Sequence, residues 1–240
     1  VALVISLERA LEGLLHRRSY RSAFLEGRLD ALDLSPEDRD AVASLDPEQV
    51  VRMAELTREH LMRREHRGSG GLIALFPRTI QAWRAAHPDD PELHELSSSF
   101  MESDPFERHR ELPFAGPGLS LEEAFYRFCE IAAIGDPAAR EQEFCAAIVK
   151  ALLLSPNPDF TLPEEVRSGP AGRFALSLRK EPLLFAATRG RYVEGPITPF
   201  LADLLLFPGS RQELAFQHGV SPSVLEASTR QLVSLGLLPA

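Results

Sequence analysis

The side chains in this sequence with the chemistry to catalyse or to hold a metal are seven histidines, two cysteines and a few adjacent carboxylates. The histidines are His16, His60, His66, His87, His94, His109 and His218. Zinc sites ask for closely spaced ligands, as in H-E-x-x-H or C-x-x-C, and neither pattern occurs. His60 and His66, each preceded by a glutamate, come nearest. Six residues apart on a helix they diverge by about 120°, which suits solvent better than a shared ion. Cys129 and Cys145 fall in apolar stretches with no basic group placed to lower a thiol pKa, so both read as buried and inert. Asp89-Asp90 and Glu164-Glu165 sit where helix starts or loops explain them. Gly68-Ser69-Gly70-Gly71 lacks the lysine and preceding strand of a phosphate loop and reads as a joint. No G-x-S-x-G elbow or dinucleotide fingerprint is present. The chain is expected to carry no catalytic group, no cofactor and no metal of its own.

Charge narrows the partners. The 240 residues have a net charge of −9, unevenly placed. Residues 160–240 hold eight Lys/Arg and seven Asp/Glu, which leaves 18 basic and 28 acidic side chains before them. An acidic body disfavours nucleic acid, because counterion release needs a positive stripe. Two cysteines are too few for a secreted disulfide scaffold. The opening Val1–Leu7 is apolar but too short for a signal sequence, and no run approaches a membrane span. A cytoplasmic protein with no membrane partner is the expectation.

The elements that must position any site begin as helix after helix. Ser6, Ser35-Pro36, Asp46-Pro47, Ser120 and Asp136-Pro137 are cap signals, proline costing nothing at a first helical position. Behind them lie apolar stripes such as Leu7, Leu11, Leu14 and Leu15, or Val50, Met53, Ala54, Thr57 and Leu61. Arg63–Arg67 reads as a basic helix end. Leu72, Leu75, Phe76, Ile80 and Trp83 form one stripe that Pro77 should kink or restart. Asp90-Pro91 should open a helix holding Leu93, Leu96 and Phe100, and residues 103–119, rich in Pro and Gly, read as a loop.

Around Pro156–Pro163 the period changes from helical to alternating. Phe174, Leu176 and Leu178 predict one strand, Leu183–Ala187 a second and Arg191–Ile197 a third, with the turn Arg189-Gly190 between the last two. Three short helices follow, opened by Thr198-Pro199, by a capping box at Ser210–Glu213, and by Ser221-Pro222. The predicted fold class is mainly α (α+β). An N-terminal helical module (residues 1–157) precedes a C-terminal winged-helix-like domain (158–240) of a three-stranded antiparallel sheet and three helices.

Those strands, the apolar Pro199–Phe207 helix, the Ser210–Gly219 helix and the closing Leu225–Leu238 together resemble a PqqD-like RiPP recognition element. The whole chain resembles the MbnC-like partner proteins of multinuclear non-haem iron-dependent peptide oxidases. The segments that carry this second resemblance are Leu75–Trp83, Leu121–Phe128 and Gly190–Pro199. It implies a non-catalytic subunit that binds the leader of a precursor peptide as an added strand and presents it to a TIM-barrel oxidase. The iron would belong to that partner, and the helical module would dock it. The groove would lie between the third strand and the last helix, with Arg191, Tyr192 and Val193 on one side and Leu225, Thr229 and Leu232 on the other. At least some of the latter apolar residues must belong to the core instead, and for each one the core is the better assignment. A winged-helix DNA-binding regulator is the alternative, weakened because the last helix offers only Arg230 and Gln231, opposed by Glu226.

Overall fold

The computed structural model describes residues 6–32, 34–63, 71–110, 118–154 and 161–240. Among them the chain is mainly helical, with a four-stranded antiparallel sheet near the C-terminus that is followed by helices. The basic turn beyond Arg63 with His66, the glycine run at 68–70, and the residues on either side of the expected boundary at 157/158 lie outside the described residues.

Helices α1 (Leu7–His16), α2 (Arg18–Leu25), α3 (Pro36–Ala43) and α4 (Pro47–Arg63) form the first unit. Ser6 caps α1 by accepting the Arg9 N–H, and Ser35 caps α3 by accepting that of Asp38. Ala10, Leu14, Phe24, Leu32, Val42 and Val50 make its small core. Met53, assigned inward by spacing, is half exposed.

Pro77 restarts the helix rather than kinking it. α5 (Leu72–Leu75) ends at Phe76, and α6 (Pro77–Ala86) begins with the proline at its first position, where no N–H is needed. The free N–H groups of Arg78 and Thr79 are taken by the buried Glu143 carboxylate, at 2.6 and 3.2 Å. α7 starts later than Asp90-Pro91 suggests, at His94, and runs to Met101. Asp90 still caps it, accepting the N–H groups of His94, Glu95 and Leu96 and the Trp83 indole N–H. To make that reach, Leu93 adopts a left-handed φ of 63°. The stretch expected to be a loop contains α8 (Asp104–Arg110). Ser103 accepts the Phe106 N–H, and Phe106 pays for the turn by packing edge-on to Phe100 at 5.0 Å.

α9 (Leu121–Ile131), capped by Ser120, packs on α10 (Pro137–Leu154). α10 is buried nearly all round: Phe144, Cys145, Ala147, Ile148, Val149, Ala151 and Leu152 are all inside. That follows from its two neighbours, since one side meets α5, α6 and α9 and the other lies across the sheet.

The sheet runs β1 (Val166–Gly169), β2 (Gly172–Ser177), β3 (Leu183–Thr188), β4 (Arg191–Pro196), each strand antiparallel to the next. The expected three strands are therefore four. β1 was hidden because only Val166 is buried and the rest of the strand is polar or glycine. Alternation sends Ala175, Phe185 and Ala187 to the α10 side and Phe174, Leu184 and Ala186 to the other. On that second face sit α11 (Pro199–Leu206), α12 (Arg211–Gln217) and α13 (Pro222–Ser234), through Phe200, Leu204, Leu214 and Leu232. Ser210 does not form the expected capping box. It ends a short 3-10 turn and makes no side-chain cap bond.

Candidate functional site

The outer edge of β4 is one of the two sheet edges with no strand partner among the described residues. Arg189 and Gly190 turn the chain with φ of 49° and 73°, the left-handed pair of a two-residue hairpin. Such a turn makes Thr188 and Arg191 a hydrogen-bonded pair, and bonded pairs then alternate along the ladder. The far end agrees, because Ile197 N–H donates to the Pro182 carbonyl at 2.9 Å. With Thr188↔Arg191, Ala186↔Val193 and Leu184↔Gly195 bonded across the ladder, Tyr192, Glu194 and Pro196 turn their backbone outward. Among the described residues no strand pairs with that side. Tyr192 and Glu194 present an N–H and a carbonyl each; Pro196, without an N–H, presents a carbonyl alone.

Side chains alternate on the same strand. Tyr192, opposite Ala187, faces α10, and the Lys150 ammonium lies 4.7 Å from its ring centroid. Its hydroxyl donates to Glu194. Burial, then that carboxylate bond, pushes the Tyr192 phenol well above its ordinary range. Val193 is half-buried on the face that α11–α13 occupy, and Arg191 is exposed beside it. Tyr192 and Val193 thus belong to opposite faces of one strand and would read opposite sides of a guest.

Of the three α13 residues, Leu232 is core, 3% exposed within the cluster of Phe174, Leu184 and Phe200. Leu225 and Thr229 are half-buried. The helix is tight at its C-terminal end and looser towards its start, where Val224 is half exposed. Its C-terminal tie to the sheet runs through the Leu235 carbonyl, which accepts the Thr188 hydroxyl, and the Gly236 carbonyl, which accepts the Ala171 N–H. Arg230 pairs with Glu226 at 2.6 Å on the exposed side of the helix.

Burial pushes the Cys145 thiol up to about 12 and that of Cys129 higher still, which keeps both as unreactive thiols. Burial also raises the Glu123 carboxyl, although Arg127 beside it works the other way. Among the described residues no three His, Cys, Asp or Glu side chains gather closely enough to hold a metal ion. His60 is exposed on α4. No described helix is long and apolar enough to cross a membrane.

Two residues at this edge escaped the sequence reading. Glu194 sits on the predicted strand but shows its outward backbone only once the ladder's parity is known. Lys150 belongs to α10, on the far side of three strands in sequence. Its signal was there, as a lone cation in the apolar run Ala146–Leu154, but its destination was not.

No protein-family model matches the chain, and no curated protein or solved structure matches it either.

Proposed function

We propose that this chain is a non-catalytic partner subunit that binds the leader of a precursor peptide and presents it to an iron-dependent peptide-modifying oxidase. In this reading β2–β4 with α11–α13 form a winged-helix-like, PqqD-like recognition element, to which β1 is an addition. The helical module docks the TIM-barrel oxidase, which supplies the iron chemistry. The supporting observation is the unpaired outer edge of β4. Backbone groups directed away from a sheet are a template for strand addition, in which main-chain bonds give affinity and alternate side chains give selection. The resemblance of Gly190–Pro199 to the partner-protein family falls on this same hairpin.

Glu194→Pro tests the reading when compared with Glu194→Ala, since both remove the carboxylate that accepts the Tyr192 hydroxyl and only proline removes the N–H. The Glu194 N–H points outward, so proline deletes a bond to the guest without deleting one between β3 and β4. The full chain, co-purified with a genomically neighbouring iron oxidase, would be titrated with the leader of its precursor peptide. Wild type should bind, and Glu194→Pro should weaken binding about ten-fold or more while the chain still melts cooperatively. Unchanged affinity in a folded variant, or wild type that takes neither oxidase nor leader, would overturn the proposal.

A further inference from the structure

Resting on β4 as the docking edge, we infer that the guest strand is acidic, with a carboxylate side chain opposite Tyr192 that Lys150 receives. Directly opposed residues on neighbouring strands point to the same face, with Cβ atoms about 5 Å apart. A guest residue paired with Tyr192 therefore projects towards α10, where the Lys150 ammonium lies over the Tyr192 ring.

Lys150 is placed to accept such a group. It is one of only two lysines in the chain. The other, Lys180, contacts Asp136 at 3.3 Å. Among the described residues Lys150 has no carboxylate within ion-pair range; its contact is the aromatic face. A cation held over a ring has lost some of its freedom, so a carboxylate finds it pre-positioned.

The hairpin end adds positive charge to the edge. Arg189 and Arg191 are exposed there and make no ion pair among the described residues, Arg191 lying on the Val193 face across the strand from Tyr192. Glu194, on the Tyr192 face, accepts the Tyr192 hydroxyl and is the one acidic side chain of the strand. A positive edge on a chain of net charge −9 attracts acidic segments locally while the body repels their indiscriminate binding. Glu194 also sets register: a guest acid opposite Glu194 rather than Tyr192 would face a like charge.

The test uses the full chain to sort a pool of peptides about ten residues long, randomised at alternate positions among Asp, Asn, Lys and Thr. Wild type should enrich Asp over Asn about three- to ten-fold at one position. Lys150→Glu should instead enrich Lys there, and the milder Lys150→Gln, if the charge reversal fails to fold, should abolish the preference. Asp and Asn retained equally, or the same acidic preference in the Lys150 variants, would overturn the acidic guest while leaving strand docking in place. Retention of no peptide by folded wild-type chain, or retention undiminished in Glu194→Pro, would overturn both.

Discussion

The sheet has two edge strands, β1 and β4, and they differ in length and in how they are anchored. At the β1 side a four-residue strand is tied down at its turn by the last segment of the chain. A Cβ on Gly169 would lie 2.9 Å from the Gly236 carbonyl, and one on Gly236 would lie 2.9 Å from the Ala171 side chain. At the β4 side a six-residue strand carries outward amides at Tyr192 and Glu194 that meet no strand among the described residues. Exposed strand edges are an aggregation hazard that proteins blunt with short strands, charges and proline. β4 has Arg191, Glu194 and Pro196, yet the proline comes last, which limits the length of a guest without forbidding one. The difference is between a short strand anchored at its turn and a longer strand whose outward amides carry the polar and charged side chains Tyr192 and Glu194.

That contrast can be broken by substitution. The largest effect is expected at the closed end of α13, where Leu232→Ala should cost about 2–5 kcal/mol by leaving a cavity among Phe174, Leu184 and Phe200. Gly236→Ala should cost less, about 1–3 kcal/mol, because its φ of +75° and its contact with Ala171 both resist a side chain. Leu225→Ala, at the loose end of the same helix, should stay within about 1 kcal/mol. Urea unfolding of the three variants gives the order directly, and a cost at Leu225 matching that at Leu232 would erase the distinction between the two ends.

Much of the fold was legible because its punctuation is local. Ser35-Pro36, Thr198-Pro199 and Ser221-Pro222 cap the helices they announce, and Arg189-Gly190 turns where its residues allow left-handed backbone. What escaped depends on distance. β1 has a single buried side chain, so alternation could not reveal it; its partner strand and the Gly236 segment define it. α8 was masked by its proline- and glycine-rich flank, although Ser103-Asp104-Pro105 is itself a start signal. The α7 start was displaced because Asp90 caps across a left-handed Leu93 rather than at the adjacent residue. At the candidate site the strand holding Arg191, Tyr192 and Val193 was readable, but which face each side chain takes followed only from pairing with Ala186 and Ala187. Leu232 had the spacing of its neighbours and gained its core role from the sheet above it.

Amide hydrogen exchange on β4 reaches the central claim without any substitution. In the free chain the Tyr192 and Glu194 amides should exchange fast while those of Val193 and Gly195, bonded to β3, are protected. With a bound leader or a selected acidic peptide, Tyr192 and Glu194 should slow about ten-fold or more. Slow exchange at both positions before any peptide is added, or fast exchange at both once the peptide is bound, would contradict the account.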